Sequence, residues 1–189
     1  TNSTESGTVY RPDDVRAITG VAKAEGLRVH MDGARFANAM AFLGVPAKAV
    51  TWEAGVDALS FGATKGGAMA AEMVVFFDDK LAESFAFRRM RGGHLVSKMR
   101  FVSAQLNAFL ADGLWLKLAR HANAMAQRLA QGLVAGPKRI PGARLAHPVE
   151  ANEIFVHLPP PVIAGLRDAG AEFYDWKMTF LAAEEHNLI

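Results

Sequence analysis

The 189 residues are 51% hydrophobic and 21% charged, a balance that supports a sizeable core of one or two domains and excludes a chain disordered by composition. The net charge of +2 argues neither for nor against a polyanionic partner, the absence of cysteine excludes disulfides and thiolate chemistry, and no apolar run approaches the roughly 20 residues of a membrane span. Absent cysteine also suits a reducing, cytoplasmic setting, and the N-terminal residues lack both an initiator methionine and the pattern of a signal or transit peptide.

Residues 1–11 read as a loop. Pro12, Asp13 and Asp14 then open a helix through Ala24, because acids suit the positive end of the helix dipole, and Gly26 ends it. Leu27–Met31 is expected to be a short buried strand, and Ala34–Leu43 a helix closed by Gly44. Val56–Phe61 and Met73–Phe77 are further apolar strands without clean alternation. Such runs between helices predict a mostly parallel sheet covered on both faces, in an α/β fold. Leu81–Arg89 and Ser97–Leu110 read as helices, the second broken at Asp112-Gly113. Leu114–Val134 is a long amphipathic helix with Leu114, Leu118, Met125 and Leu129 at helical spacing. Beyond it the pattern shortens: strands at Arg144–His147, Ile154–Leu158 and Glu172–Trp176, and a helix over Pro161–Asp168. The expected organisation is a first domain over 1–113 and a bridging helix with a small α+β domain over 114–189.

The chemistry-bearing residues lie just past two of these strands. Lys65 follows the second in Asp57-Ala-Leu-Ser-Phe-Gly-Ala-Thr-Lys-Gly-Gly67, and Asp32 and Arg35 follow the first in Val29-His-Met-Asp-Gly-Ala-Arg35. A lysine amine condenses with an aldehyde, and an ionised carboxylate keeps a pyridine nitrogen protonated, the two groups that pyridoxal phosphate requires. Arg35 adds a guanidinium suited to a carboxylate. Taken alone, a lysine in a Gly-rich loop is usually a solvated amine, an Asp-Gly pair is usually a turn or cap, and Arg35 could simply pair with Asp32. A Lys65 side chain pointing into bulk water and remote from Asp32 would overturn the enzymatic reading.

The combination Thr1-Asn-Ser-Thr-Glu-Ser-Gly-Thr-Val-Tyr10, Val29–Arg35 and Leu59–Lys65, with Arg88-Arg-Met-Arg-Gly-Gly-His94 and Val149-Glu-Ala-Asn-Glu-Ile-Phe155, resembles the low-specificity L-threonine aldolases. These are β-eliminating lyases of the fold-type-I pyridoxal phosphate group, and the likeness runs over residues 1 to about 176. It implies Lys65 as the Schiff-base lysine, Asp32 as the pyridinium partner and Arg35 as a substrate-carboxylate or cofactor-adjacent cation. It also implies pyridoxal 5'-phosphate as cofactor, cleavage of L-threonine and related β-hydroxy-α-amino acids to glycine and an aldehyde, and a homo-oligomer, usually a tetramer of tight dimers. Two family features are expected but not matched: an N-terminal segment with a phosphate-binding turn and a ring-stacking histidine, and a C-terminal strand with a clamping arginine, where this sequence has residues 177–189. Both ends are therefore expected to be truncated. The alternatives are an inactive remnant, or another β-eliminating lyase or aminotransferase on the same scaffold.

Other residues carry plainer expectations. Arg88, Arg89, Arg91 and Lys98 read as a solvated helix end and turn, or, given the resemblance, as phosphate contacts across a subunit interface. No aromatic platform interleaves them, which argues against nucleic acid. His30 is expected to be a packed strand histidine. His121, His147 and His157 lack metal spacing. Thr64 is expected to cap or orient the lysine loop, and Trp115 and Trp176 to be core or interface residues.

Overall fold

The computed structural model describes residues 4–135 and 139–176. They form two compact units, one built on residues 9–121 and the other on residues 5–8 with the chain from Ala122 onward.

The first unit opens with helix α1, Pro12–Ala24. Proline at its first turn lacks only an N–H that would find no helical acceptor, and Asp14 accepts a 2.8 Å bond from the Arg11 N–H. The chain then enters strand β1, His30–Gly33, and helix α2, Phe36–Leu43, which ends where Gly44 turns left-handed and bonds back to the Met40 carbonyl. Two single 3₁₀ turns, Ala47–Val50 and Trp52–Ala54, lead to strand β2, Ala58–Gly62, and a third over Thr64–Gly66 precedes strand β3, Glu72–Phe76.

The sheet order is β1-β2-β3. β1 lies parallel to β2, with Asp32 beside Ser60, and α2 makes the crossover. β3 runs antiparallel to β2, with Ser60 beside Val74. The sheet is therefore mixed rather than mostly parallel. Residues 63–71 form no crossover helix between β2 and β3, and a parallel return takes about a dozen residues or more.

One sheet face is apolar. Met31, Leu59 and Phe61 are buried with Phe36, Ala37 and Met40 of α2. Helix α5, Met99–Leu110, adds Phe109, and the first turn of helix α6, Leu114–Val134, adds Trp115. The Phe61 ring centroid is 5.9 Å from Phe36, 6.2 Å from Phe109 and 5.9 Å from Trp115, so one aromatic cluster underlies the sheet. The opposite face carries exposed His30, Asp32, Glu72 and Val74, so the expectation of cover on both faces is not met by the described residues. Between β3 and α5 the chain forms two short helices, α3, Asp79–Ala82, and α4, Phe85–Arg91, in place of one.

The second unit packs the C-terminal turns of α6, a two-stranded antiparallel sheet of β4, Arg144–Leu145, and β5, Val156–His157, and helix α7, Pro160–Asp168. Val156, Leu158 and Ile163 form its core with Leu133, Ile140 and Leu166. Residues 172–176, expected as a strand, are irregular. They are held locally instead, by the 2.8 Å Arg167–Asp175 ion pair and by the Arg167 guanidinium over the Phe173 ring.

Candidate active site

Strand pairing decides where the site residues emerge. Because β1 and β2 are parallel, their carboxyl ends lie at the same edge, so the chain leaves Gly33 and Gly62 side by side. A Cβ placed on Gly62 would lie 2.8 Å from both Cα and O of Ala34, and only glycine permits so close an approach. This contact joins the two motifs. Ala34 stands between Asp32 and Arg35, and Gly62 stands three residues before Lys65.

Asp32 lies on the open sheet face. Its Oδ1 accepts a 2.9 Å bond from the Ala34 N–H, an Asx turn that fixes the carboxylate as the chain turns out of β1. His30 and Ser60 share this face and are linked Nε2 to Oγ at 2.7 Å. His30 is thus exposed and hydrogen-bonded rather than packed, because β1 alternates and Met31 takes the inward position. Arg35 is half-buried and N-terminal to α2.

Lys65 sits in the 3₁₀ turn Thr64–Gly66 and is exposed, as are Asp32 and Thr64. The turn itself is well anchored. Gly66 N–H donates to the Ala63 carbonyl at 2.9 Å, and Ala63 N–H to the Ala71 carbonyl at 3.1 Å. The Thr64 hydroxyl meets both the Ala71 N–H, at 3.0 Å, and the Ala71 carbonyl, at 3.3 Å. Thr64 does orient the loop, and the bonds show how. Beside the turn lies an open apolar cavity of about 450 Å³ lined by Gly67, Met69, Phe101, Phe109 and Leu118.

Sequence reasoning missed two participants. Glu72 places Oε1 3.4 Å from the Thr64 N, and Gln105 of α5 accepts from the Met69 and Ala70 N–H groups at 2.9 and 3.1 Å. Glu72 could have been noticed as an acid opening an otherwise apolar strand. Gln105 left no signal, since a glutamine in an amphipathic helix is ordinary. Arg88, Arg91 and Lys98 are exposed around the end of α4, and no cluster of metal-ligating side chains occurs among the described residues.

The residues fit pyridoxal phosphate chemically, with an accessible amine and an accessible carboxylate on adjoining strand ends. Residues 1–159 match the beta-eliminating lyase family, and the chain belongs to it. Within that family it is 50% identical over 174 residues to a low specificity L-threonine aldolase from Pseudomonas sp., covering 92% of this chain and 49% of that protein. It is 49% identical to the enzyme of the same name from Pseudomonas aeruginosa, with the same coverage. The chain spans about half the length of the curated relatives it matches. Among solved structures it resembles a Leishmania major threonine aldolase, with a TM-score of 0.85 and 28% identity over 99% of this chain and 52% of that one. The fold is thus the α/β fold of a fold-type-I enzyme, with a mixed sheet.

Proposed function

We propose that this chain supplies the amine and acid of a pyridoxal phosphate-dependent aldehyde-lyase that cleaves L-threonine and related β-hydroxy-α-amino acids to glycine and an aldehyde. The observation that carries the proposal is the backbone contact of Gly62 with Ala34, which brings the Lys65 turn against the Asp32–Arg35 turn. The 50% identity to a protein named low specificity L-threonine aldolase supports the same chemistry.

In this reading Lys65 Nζ binds the cofactor aldehyde and Asp32 holds the proton on the ring nitrogen. Arg35 orients the substrate carboxylate through its two-pronged donor geometry. When bound, pyridoxal phosphate supplies the electron sink for breaking the bond between Cα and Cβ. The Ala34 N–H donated to Asp32 Oδ1 orients that carboxylate on the open sheet face. We extend the reading to a cytoplasmic homo-oligomer by family likeness. No helix among the described residues is long and apolar enough to cross a membrane.

The test is to mix the protein with pyridoxal phosphate, reduce with borohydride and map the labelled peptide by mass. Label on Lys65 with loss in Lys65→Ala supports the reading; equal labelling of the variant refutes it. A second reading, a non-catalytic family member, is favoured by the exposure of Lys65 and Asp32. Acetaldehyde release from threonine separates the two.

A further inference from the structure

We infer that Gln105 is a positioning residue for Lys65, tethering the far limb of the lysine turn to α5. The inference rests on the reading of Lys65 as the cofactor-binding amine. The near limb of the turn is fixed by its own neighbours, through the Thr64 hydroxyl and the Ala63 N–H on Ala71. The limb beyond the lysine contains Gly66 and Gly67, the latter at φ +130°, and glycines lose the most conformational freedom on ordering. Here Gln105 acts. Its single Oε1 accepts from two consecutive backbone N–H groups, Met69 at 2.9 Å and Ala70 at 3.1 Å. Its Nε2 donates to the Phe101 carbonyl one helical turn back, at 3.2 Å, so the carbonyl end of the amide faces the loop.

Phe109 follows Gln105 by one turn on the same helix face and lies directly under Gly66, whose added Cβ would stand 2.6 Å from the ring Cζ. Gln105 and Phe109 together form a seat, one by hydrogen bonds and one by shape. The bonds to Met69 and Ala70 are exposed to water, so each adds little to overall stability, and their consequence is local order around the amine.

The experiment compares wild-type full chain with Gln105→Leu, which cannot accept, and Gln105→Glu, which can accept both N–H groups. Amide exchange of Met69 and Ala70 is followed by mass spectrometry without cofactor, and borohydride-trapped pyridoxal phosphate on Lys65 is followed in time. Exchange in Gln105→Leu should accelerate about tenfold and trapping should slow severalfold, with Gln105→Glu close to wild type. Should the leucine variant lose its near-ultraviolet circular dichroism, Gln105→Asn, one methylene too short to reach, makes the same comparison. Unchanged exchange or trapping in the leucine variant, or failure of glutamate to restore them, overturns the inference while normal wild-type trapping leaves the Lys65 reading intact. Absent trapping in the wild type sinks the Lys65 reading itself, and the positioning role with it.

Discussion

Replacing Gly66 by alanine tests the seat of the lysine turn by shape alone. Gly66 does not adopt a positive φ, so a methyl group there costs nothing in backbone strain. The cost is steric. The new Cβ would stand 2.6 Å from Phe109 Cζ and 3.1 Å from Cε2, against about 3.5–4.0 Å for a comfortable carbon contact. Phe109 is only 3% exposed and lies against Phe61, so its ring recoils by roughly 1 Å only by disturbing the aromatic cluster. Overpacking of this kind costs about 1–3 kcal/mol. At about 2–4 °C per kcal/mol for a chain of this size, the midpoint should fall by roughly 2–12 °C. Phe109→Leu removes Cζ and both Cε atoms, so Gly66→Ala made in that background should cost about 1–2 kcal/mol less than in the wild type. Calorimetry of the four proteins at one concentration measures the coupling. Additivity within about 0.5 kcal/mol would show that the turn does not rest on Phe109.

Further outcomes are expected elsewhere in the first unit. Burial raises the Asp57 carboxyl, but the Val29 N–H, the Arg28 hydrogen bond and charge, and the Lys23 charge together outweigh it and leave the pKa below its ordinary value. The folded state therefore binds this proton less readily than the unfolded chain. The associated stability is complete above the unfolded value, near pH 4, and is lost as pH falls through the lowered one. Asp57→Asn should flatten this acid limb in thermal melts from pH 6 downward, and an unchanged limb would contradict the assignment. Thr19, 3% exposed, donates its hydroxyl to the Ala54 carbonyl at 2.6 Å. Thr19→Val keeps the shape and strands that carbonyl, so a loss of about 1–3 kcal/mol is expected in denaturant titration, and no loss would refute the bond. Lys65→Ala should abolish trapping of pyridoxal phosphate while leaving the melting midpoint within about 1 °C, since the side chain is exposed.

Much of the framework was legible in the sequence because its signals are local. Pro12, Asp13 and Asp14 mark the start of α1, and the spacing from Leu114 to Val134 marks α6 over the observed span. Strand bounds shifted by one to three residues, as with β1, expected over Leu27–Met31 and found at His30–Gly33. There the hydrophobic run gives way to pairing set by a partner, since Val29 is bonded to Asp57 through both its N–H and its carbonyl. The direction of β3 was not legible from apolar content, which parallel and antiparallel strands share; the shortness of residues 63–71 carries it. Glu172–Trp176 forms no strand because it pairs with none among the described residues, and apolar and aromatic content alone makes no ladder. Lys65, Asp32 and Arg35 were visible as residue types at strand ends. What holds their turns together was not, because Gly62 against Ala34 and Gln105 against Met69 are contacts between distant segments.

The same register that builds the sheet selects the face on which Asp32 appears. In β1 exposure alternates, with His30 and Asp32 outward and Met31 and Gly33 inward. A slip of one residue would reverse this, burying a carboxylate against Phe36 and exposing Met31. Register is held just upstream of β1, where Asp57 Oδ2 accepts from the Val29 N–H at 2.8 Å and the Asp57 and Ala58 N–H groups meet the Val29 carbonyl at 2.9 and 3.2 Å. It is held at the other end by Gly33, whose added Cβ would lie 2.6 Å from the Ser60 carbonyl and from Leu59 Cδ1. The inward Met31 and Leu59 add a penalty for any slip that puts them in water. Asp57 therefore bears on the site without touching it. By latching β1 to β2 it keeps the Asp32 turn and the Lys65 turn at one edge, where the contact between Ala34 and Gly62 can form.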